Sequence, residues 1–375
     1  MKYRKYASIA ITSGMAIACF ALTAAESAAE TKSIQYSSYA PESHLINTGG
    51  IVPFIELVER DTGGSLDIEF RPGGVLSNAR TTLSAVSSGA VDGGFIVGVY
   101  TPQELPMNNT LSDLGLSSFD PRVLTGAINE MALLDCETCL EEWEQHNVVP
   151  FGAISTTPYL LLCNGEYNTL ADLRGKKVRA PSTSVPLAQA LSMTPVNIAS
   201  TEIYEALQRN QVDCSFGSLS HIKNYSLWDV LESVVALPVG STFGHQMLTF
   251  NADVWEGLTP EQKAAMRKHA PHALRGVLEA YTKGDETSKQ EVIEKGIAWI
   301  EPTQEMLDVV AAQQAEEASR MVEMAESRGI PGAQKEIAVF MQKIDKWTNL
   351  VSEEGYSWED YEDDLAAEIY SRLPQ

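Results

Sequence analysis

The feature that most constrains the fold is an alternation of apolar and amphipathic segments, which the chain makes twice. In its first part, strand-like segments are separated by segments with helical periodicity, and Gly63-Gly64 ends one of the helical segments. The strand-like segments are "KSIQYSSY", "SLDIEFRP" and "VDGGFIVGVY". Strands that alternate with helices at this spacing need crossover connections, so we expect an α/β fold with mainly parallel strands.

The same order of elements begins again with one long apolar and β-branched run, "VVPFGAISTTPYLLLC". Amphipathic helical segments then alternate with three further strand-like segments, "KKVRAP", "TPVNI" and "VDCSFGS". A second long strand, "STFGHQMLTFNADVW", lets the chain cross back. Two successive α/β sets with long strands between them predict two lobes.

The sequence after residue 259 is mostly helical. Thr259-Pro-Glu-Gln262 is a capping box with proline in the first turn. We expect Pro271 to kink the following helix and Gly284 to break it. The last stretch, 328–375, predicts two more helices that pack an apolar face onto a lobe, formed by Trp358, Tyr361 and Ile369. Its acidic side also allows a dimer contact or a contact with a membrane partner.

The N-terminus has the three parts of a secretory signal peptide. A basic start precedes an apolar stretch from about Ala7 to Leu22, and Ser27-Ala28-Ala29 offers small residues for cleavage. We expect residues 1–29 to be removed and the mature protein to lie in the periplasm. A membrane anchor and lipidation at Cys19 remain the alternatives.

The formal net charge of the chain is −23. Such a field repels phosphate backbones, which argues against nucleic acid as a partner. An anionic ligand would therefore need a local positive site. Arg179 ends the short strand-like segment before Ala180-Pro181, where its side chain can face a cleft, and composition alone leaves a salt bridge to an acid such as Asp172 equally open.

Cys136 and Cys139 have the C-x-x-C spacing of a structural disulfide, a redox pair, half a zinc site or an incidental helical pair. A redox pair would be expected at the start of a helix. These two cysteines instead fall within "NEMALLDCETCLEEWEQHN", where a helical pattern is already under way. In an oxidising compartment a structural disulfide is the leading interpretation.

No catalytic or metal-binding motif is present in the sequence. It lacks G-x-S-x-G, G-x-G-x-x-G, a Walker loop, H-E-x-x-H and a calcium loop, and "GSLSH" is only superficially similar to the first of these. We therefore expect neither an enzyme nor a cofactor nor a metal site. A secreted two-lobed protein of this kind indicates capture of a small solute between the lobes.

Several segments, in order, resemble the periplasmic solute-binding subunits of tripartite ATP-independent (TRAP) transporters. They include "LADLRGKKVRAPS", "NIASTEIYEALQRNQVD" and "NADVWEGLTPEQKAAM", and the likeness covers roughly Ile34 to Glu326. The resemblance implies a periplasmic-binding-protein-like fold of two α/β lobes joined by long shared strands and a long helix. The C-terminal helices are additional to it.

Domain boundaries follow from that likeness. Lobe I would comprise residues 30–155 with about 250–285, and lobe II residues 156–249 with about 286–327, including the connecting helix. The resemblance also implies a small organic acid as ligand and the TRAP permease membrane subunits as partners. The protein would be a monomer or a homodimer. A sensory ligand-binding protein and a periplasmic thiol enzyme using Cys136 and Cys139 are the other functions considered.

In the family, the arginine that ends the "G-x-K-x-R" strand binds the ligand's carboxylate, and here it is Arg179. Tyr159 stands where many relatives have a second arginine, and Gly217, beside Ser218, stands where many have an asparagine. Both departures make sialic acid an unexpected ligand. Further candidates near strand ends or loops at the expected cleft are Tyr39, His44, Asn78, Tyr100, Ser182, Phe216 and Phe243. They predict a monocarboxylate with an apolar or aromatic body, or an oxo or hydroxy acid.

Overall fold

The computed structural model describes residues 31–181 and 184–374. The predicted signal peptide and the site candidate Ser182 lie outside the described residues. The strands of the described residues are β1 Lys32–Ser37, β2 Leu66–Arg71, β3 Gly93–Gly94, β4 Ile96–Val97, β5 Val148–Ile154, β6 Leu160–Cys163, β7 Lys177–Arg179, β8 Thr194–Val196, β9 Cys214–Gly217, β10 Ser233–Val235, β11 His245–Asn251 and β12 Ala298–Ile300.

Helices follow most of these strands, as the alternation in the sequence predicts. In the described residues they are α1 Val52–Asp61, α2 Thr82–Ser87, α3 Pro106–Ser112, α4 Pro121–Glu130, α5 Glu137–Gln145, α6 Leu170–Leu173, α7 Val185–Ala190, α8 Ile203–Gln208, α9 Ser220–Asn224, α10 Ala252–Glu256, α11 Pro260–Glu294, α12 Gln304–Ser327, α13 Ala333–Val351 and α14 Trp358–Glu368. No helix among them is long and apolar enough to cross a membrane.

The strands form two sheets, one in each lobe. The first sheet has the order β2-β1-β3-β11-β4, with β5 paired to β11, and the second has the order β12-β10-β6-β9-β7-β8. The expectation of mainly parallel strands is met only in part. Strands β5 and β11 lie antiparallel in the first sheet, and β6 lies antiparallel to β9 and β10 in the second, because these strands carry the chain between the sheets.

Two stretches of chain cross between the lobes side by side. Residues 155–159 connect β5 to β6, and residues 236–244 connect β10 to β11. Backbone hydrogen bonds join the two crossings, from Thr156 N to Thr242 O at 2.9 Å and from Tyr159 N to Gly240 O at 2.7 Å. The long runs seen in the sequence therefore include the crossing segments, which carry the chain from a strand of one sheet to a strand of the other.

The two long helices α11 and α12 also contact both lobes. Leu274 and Tyr281 of α11 belong to the core of the first lobe, whereas Val292 belongs to a core of the second. Helix α11 continues unbroken through Pro271 and through Gly284, so the predicted break at Gly284 is wrong. An ideal Cβ there would lie 2.7 Å from Leu45 Cδ1, the movable end of a flexible side chain. Gly284 therefore lies within a continuous helix and does not end it.

The helical run expected around the C-x-x-C pair is also interrupted. Cys136 has φ −110° and ψ 90°, and it is the N-cap of α5. The pair therefore begins a helix, which corrects the expectation that it lies inside one. A disulfide joins Cys136 to Cys139. A second disulfide, which the sequence analysis missed, joins Cys163 of β6 to Cys214 of β9, and the two residues face each other in the sheet register.

The C-terminal helices pack onto the first lobe. Trp347, Tyr361 and Ile369 are fully buried and belong to its core. Gly126 of α4 makes room for Trp347, because an ideal Cβ at this glycine would lie 2.2 Å from the indole ring. The acidic C-terminal stretch is thus part of the fold.

Candidate ligand-binding site

Arg179 is buried at the end of β7, between β8 and β9, and only 3% of its surface is exposed. Its Nε donates a hydrogen bond to Ile198 O at 3.0 Å, and one terminal nitrogen donates to Phe216 O at 3.3 Å. No carboxylate of the described residues lies within ion-pair distance of it. Two backbone carbonyls therefore orient the guanidinium while its charge stays unneutralised.

This guanidinium lines a cavity built by residues from both lobes. The free volume enclosed is about 30 Å³, and the wall contains one arginine, no lysine and no acid among the described residues. Besides Arg179, the wall consists of Tyr39, His44, Phe95, Val97, Val99, Tyr100, Thr156, Tyr159, Pro181, Ser200, His221, Tyr225, Thr242, His245 and Tyr281. The cavity is thus aromatic and positively charged at one point.

Aromatic rings cover the side of the cavity that belongs to the first lobe. Tyr39 stacks on Phe95 with ring centroids 4.8 Å apart, and its edge meets Tyr100 at 6.1 Å. Phe95 occupies the single-residue gap between β3 and β4, so the expected continuous strand is interrupted at the residue that faces the cavity. Stacked rings of this kind offer flat apolar faces to a ligand.

Tyr159 stands beside Arg179 with a proton to donate. Its hydroxyl accepts a hydrogen bond from Thr242 Oγ1 at 2.8 Å, which leaves its own O–H available. Burial raises the pKa of Tyr159, and the nearby Arg179 opposes that rise only in part. The phenol therefore remains protonated and can give a carboxylate one hydrogen bond.

Hydrogen bonds at the cavity join the two lobes. Ser200 N, from the second lobe, donates to Tyr100 Oη of the first at 3.1 Å. Tyr225 Oη contacts His44 Nε2 across the lobes at 3.2 Å and donates to Ser200 Oγ at 3.0 Å. These contacts, which we call the interlobe latch, connect Tyr100, Ser200, His44 and Tyr225.

Three histidines line the cavity and all are neutral. Burial lowers the pKa of His44 and of His245 to about 3. Burial also lowers the pKa of His221 well below its ordinary value, and the charge of Arg179 acts in the same direction on His221 and His245. Arg179 is therefore the one positive charge of the described wall at neutral pH.

The structure brings five of the predicted site residues together in this wall. They are Arg179, Tyr159, Tyr39, His44 and Tyr100. They come from distant parts of the sequence and from both lobes. The role of each in ligand binding stays a prediction.

Other predicted site residues lie outside the described wall. Asn78 is exposed, and its side chain accepts a hydrogen bond from Arg80 N. Phe243 stacks on Phe340 in the core of the first lobe, at 5.6 Å between ring centroids. The ring of Phe216 is core as well, although its carbonyl holds Arg179. Ser218 forms a hydrogen bond with Ser220.

Gly217 contributes to the site through the space it leaves. An ideal Cβ at this position would lie 2.8 Å from Nδ1 of His221. A side chain at position 217 would therefore displace the imidazole from its present place. Gly217 therefore leaves the space that the ring of His221 occupies at the wall.

Sequence reasoning missed several wall residues, above all His221, Tyr225 and His245. The spacing in the sequence could have indicated two of them. His221 and Tyr225 are four residues apart directly after β9, so a helix there places both on one face. His245 had no such signal, because it begins a strand in which every residue is buried.

The four cysteines of the described residues form two disulfides, so none of them is a free thiol in this structure. No group of three or more metal-binding side chains is found in the same residues.

Comparison with known proteins gives the family. Residues 36–324 match the family model described as bacterial extracellular solute-binding protein, family 7. The sialic acid-binding periplasmic protein SiaP of Vibrio cholerae is 26% identical over 132 residues, which are 35% of this chain and 39% of that protein. The aligned segment thus spans less than half of this curated relative.

Solved structures show the same fold. A TRAP solute-binding protein of Rhodoferax ferrireducens, in complex with copurified benzoate, has a TM-score of 0.76 and 15% identity over 86% of this chain and all of its own. A Bordetella bronchiseptica counterpart with bound mandelate has a TM-score of 0.71 and 18% identity, covering 84% and 99%. A marine metagenome TRAP solute-binding protein in complex with 3-hydroxybenzoate has a TM-score of 0.74 and 18% identity, over 85% of this chain and 99% of its own. The chain belongs to the bacterial extracellular solute-binding proteins of family 7.

Proposed function

We propose that the protein captures a small monocarboxylate with an aromatic body and delivers it to a TRAP permease in the membrane. Arg179 would bind the carboxylate, Tyr159 would donate to one of its oxygens, and the stacked rings of Tyr39 and Phe95 would cover the body of the ligand. The observation that carries this proposal is a buried, oriented and unneutralised guanidinium in an aromatic cavity.

The charge of Arg179 supports an anionic ligand. A buried charge without a counter-ion is costly, and the described residues place no acid within ion-pair distance of it. A carboxylate matches the planar donors of guanidinium and removes that cost. Such a charge-assisted hydrogen bond contributes about 1.5–3 kcal/mol.

The rest of the wall supports one carboxylate and not two. The described wall has no second arginine or lysine, and its three histidines are neutral. A second carboxylate would have to lose its water without a cation to compensate it. Structural neighbours carry benzoate, mandelate and 3-hydroxybenzoate, which are aromatic monocarboxylates.

Ligand capture would require the lobes to move. The cavity holds about 30 Å³, whereas a cavity that accepts a benzene ring measures about 150 Å³. The lobes must therefore part to admit an aromatic acid, which breaks the interlobe latch, and close again around it. Closure is favoured to the extent that the ligand binds the closed state more tightly than the open one.

The same cavity supports binding without catalysis. The described wall has no carboxylate to act as a base, no free thiol and no acid-base pair of histidine and acid. Its polar groups can hold a ligand through hydrogen bonds. We therefore propose a receptor role without a chemical step.

Calorimetric titration of the mature protein with benzoate, mandelate and phenylacetate tests the proposal. We expect Arg179→Ala to weaken the best of these acids by about 10- to 150-fold, from the loss of the charge-assisted bond. Arg71→Ala is the matched control, because Arg71 is exposed and paired with Glu69. Undiminished binding by Arg179→Ala, or failure of every aromatic acid to bind the unaltered protein, would refute the assignment.

Delivery to the membrane needs a separate measurement. Uptake of the identified acid by vesicles that contain the permease subunits should depend on added binding protein and should fail with Arg179→Ala. Uptake that proceeds equally well with the variant would contradict the proposed path.

A further inference from the structure

Two imidazoles in the cavity wall have no hydrogen-bond partner among the described residues. His221 is 3% exposed and His245 is 8% exposed. His44 is different, because its Nδ1 accepts from Ile46 N at 3.2 Å and its Nε2 contacts Tyr225 Oη. The unpartnered pair therefore stands out from the histidine whose hydrogen bonds are complete.

The two unpartnered rings come from opposite lobes. His221 lies on α9 of the second lobe, and His245 is the first residue of β11 in the first lobe. Both line the same cavity, and they are near enough that His245 contributes to the lowered pKa of His221. A ligand between the lobes can therefore meet both.

The ring of His221 and the backbone of His245 are held in place by their surroundings. The imidazole of His221 packs against the rings of Tyr159 and Tyr225, at 5.3 and 5.2 Å between centroids, and Gly217 leaves the space for its Nδ1. The backbone of His245 is held by pairing with Val97 and Ile154 in the sheet. Groups held this firmly form a preorganised site.

Their chemistry selects the partner group. A neutral imidazole has one N–H donor and one nitrogen acceptor, and a buried polar group left without a partner is destabilising. A hydroxyl can donate to one ring and accept from the other. A carboxylate can only accept, and the neutral rings would not balance its charge.

We propose that His221 and His245 form a second polar subsite that receives a hydroxyl group of the ligand, so that the preferred ligand is a hydroxy-substituted aromatic monocarboxylate. This inference rests on the proposed function, in which Arg179 binds the carboxylate. It adds two specificity-determining residues, one from each lobe, and excludes aromatic dicarboxylates as good ligands.

The test compares acids that differ only in one substituent. Titrations would use benzoate, 3-hydroxybenzoate and isophthalate, and separately phenylacetate and mandelate. In at least one pair the unaltered protein should bind the hydroxylated acid about two- to tenfold more tightly than its parent, which is the value of one net hydrogen bond. Isophthalate should bind more weakly than benzoate.

Variants then assign the preference to the histidines. In His221→Phe and His245→Phe the ratio of the two affinities, for the hydroxylated acid and for its parent, should fall to about one, whatever change in affinity both acids share. His221→Asn, which keeps a donor and an acceptor, should retain part of the preference. His146→Leu serves as the control, because His146 forms a hydrogen bond with Glu104 O away from the cavity.

The outcomes separate this inference from the proposed function. If Arg179→Ala abolishes binding but the Phe variants keep the full hydroxyl preference, the subsite is refuted and the carboxylate clamp stands. A parent acid that binds the unaltered protein as well as every hydroxylated acid also refutes the subsite. If no aromatic acid binds, both proposals fail together.

Discussion

Glu317 is a carboxylate buried at the middle of α12. Its oxygens accept hydrogen bonds from Leu116 N at 2.8 and 3.1 Å. Burial raises the pKa of Glu317 to about 8, and nearby Asp113 adds to the rise. Burial also raises the pKa of Asp113 to about 7, while one of its oxygens has no hydrogen-bond partner. Glu317 is therefore mostly protonated in the folded protein at neutral pH, whereas Asp113 is close to its midpoint of titration.

A pH dependence of stability follows for Glu317. The folded protein binds the proton more tightly than the unfolded chain, so stability falls as pH rises from the unfolded pKa, about 4.5, through the folded one, about 8. Glu317→Gln keeps the acceptor but cannot ionise. Between about pH 5 and about pH 8 it should gain at least about 1.4 kcal/mol over the unaltered protein, the value of one pKa unit.

Urea unfolding at both pH values measures this difference. Glu323→Gln is the control, because Glu323 lies on the same helix but is exposed. The explanation is wrong if Glu317→Gln loses stability with rising pH as steeply as the unaltered protein does.

Among the residues of the candidate site, the sequence predicts the position of Arg179 better than the positions of Phe216 and His245. Arg179 was predicted to face a cleft because it ends a strand directly before Ala180-Pro181. Phe216 was placed in the site, but its ring points into the core, and only its carbonyl touches the arginine. His245 was missed because a fully buried strand gives no alternation from which the cavity side could be identified.

Among the elements, the contact between α4 and α13 depends on Gly126. Glycine inside a helix normally costs about 1 kcal/mol relative to alanine. Here an ideal Cβ would lie 2.2–2.6 Å from the ring atoms of Trp347, which is fully buried and donates to Glu130 at 2.9 Å. Gly126→Ala should therefore destabilise the protein by about 1–3 kcal/mol, the usual cost of overpacking.

Gly284→Ala is a matched comparison for this element. It is also a glycine inside a helix, but its ideal Cβ meets only the flexible end of Leu45 closely, at 2.7 Å. Its thermal unfolding should change little or move upward, while that of Gly126→Ala moves downward. Equal losses in the two variants would show that the indole is not the cause, because helix propensity alone would raise the stability of both.

Element boundaries were predicted well where local chemistry marks them. The capping box at Thr259 begins a helix, as the sequence indicated. The errors arose where tertiary contacts decide. Gly284 was predicted to break the helix, but α11 continues through it, where it packs beside Leu45 and Ser220. The disulfide between Cys163 and Cys214 depends on the pairing of β6 with β9, which spacing along the chain does not reveal.

The molecule as a whole is held as two lobes by its crossings, by its long helices and by contacts at the cavity. The crossing strands exchange backbone hydrogen bonds, and Asp285 of α11 accepts from Ser220 N of α9 at 2.7 Å. These connections lie beside the chain passages between the lobes. The interlobe latch lies at the cavity itself, so it is the set of contacts that must break when a ligand enters.

Tyr225 is the centre of the latch, since its hydroxyl reaches both His44 and Ser200. Tyr225→Phe keeps the ring beside His221 but removes both hydrogen bonds. The closed state then loses about 0.5–1.5 kcal/mol for each bond, whereas the open state loses little. We expect ligand affinity to fall by about 5- to 100-fold, mainly through faster dissociation.

Stopped-flow titration with the best aromatic acid measures this effect as separate association and dissociation rates. Tyr204→Phe is the control, because the hydroxyl of Tyr204 bonds Asp229 on the exposed side of the same lobe. Dissociation from Tyr225→Phe at the rate of the unaltered protein would mean that the hydroxyl does not hold the lobes together. A slower association with unchanged dissociation would mean that Tyr225 acts on admission of the ligand and not on closure.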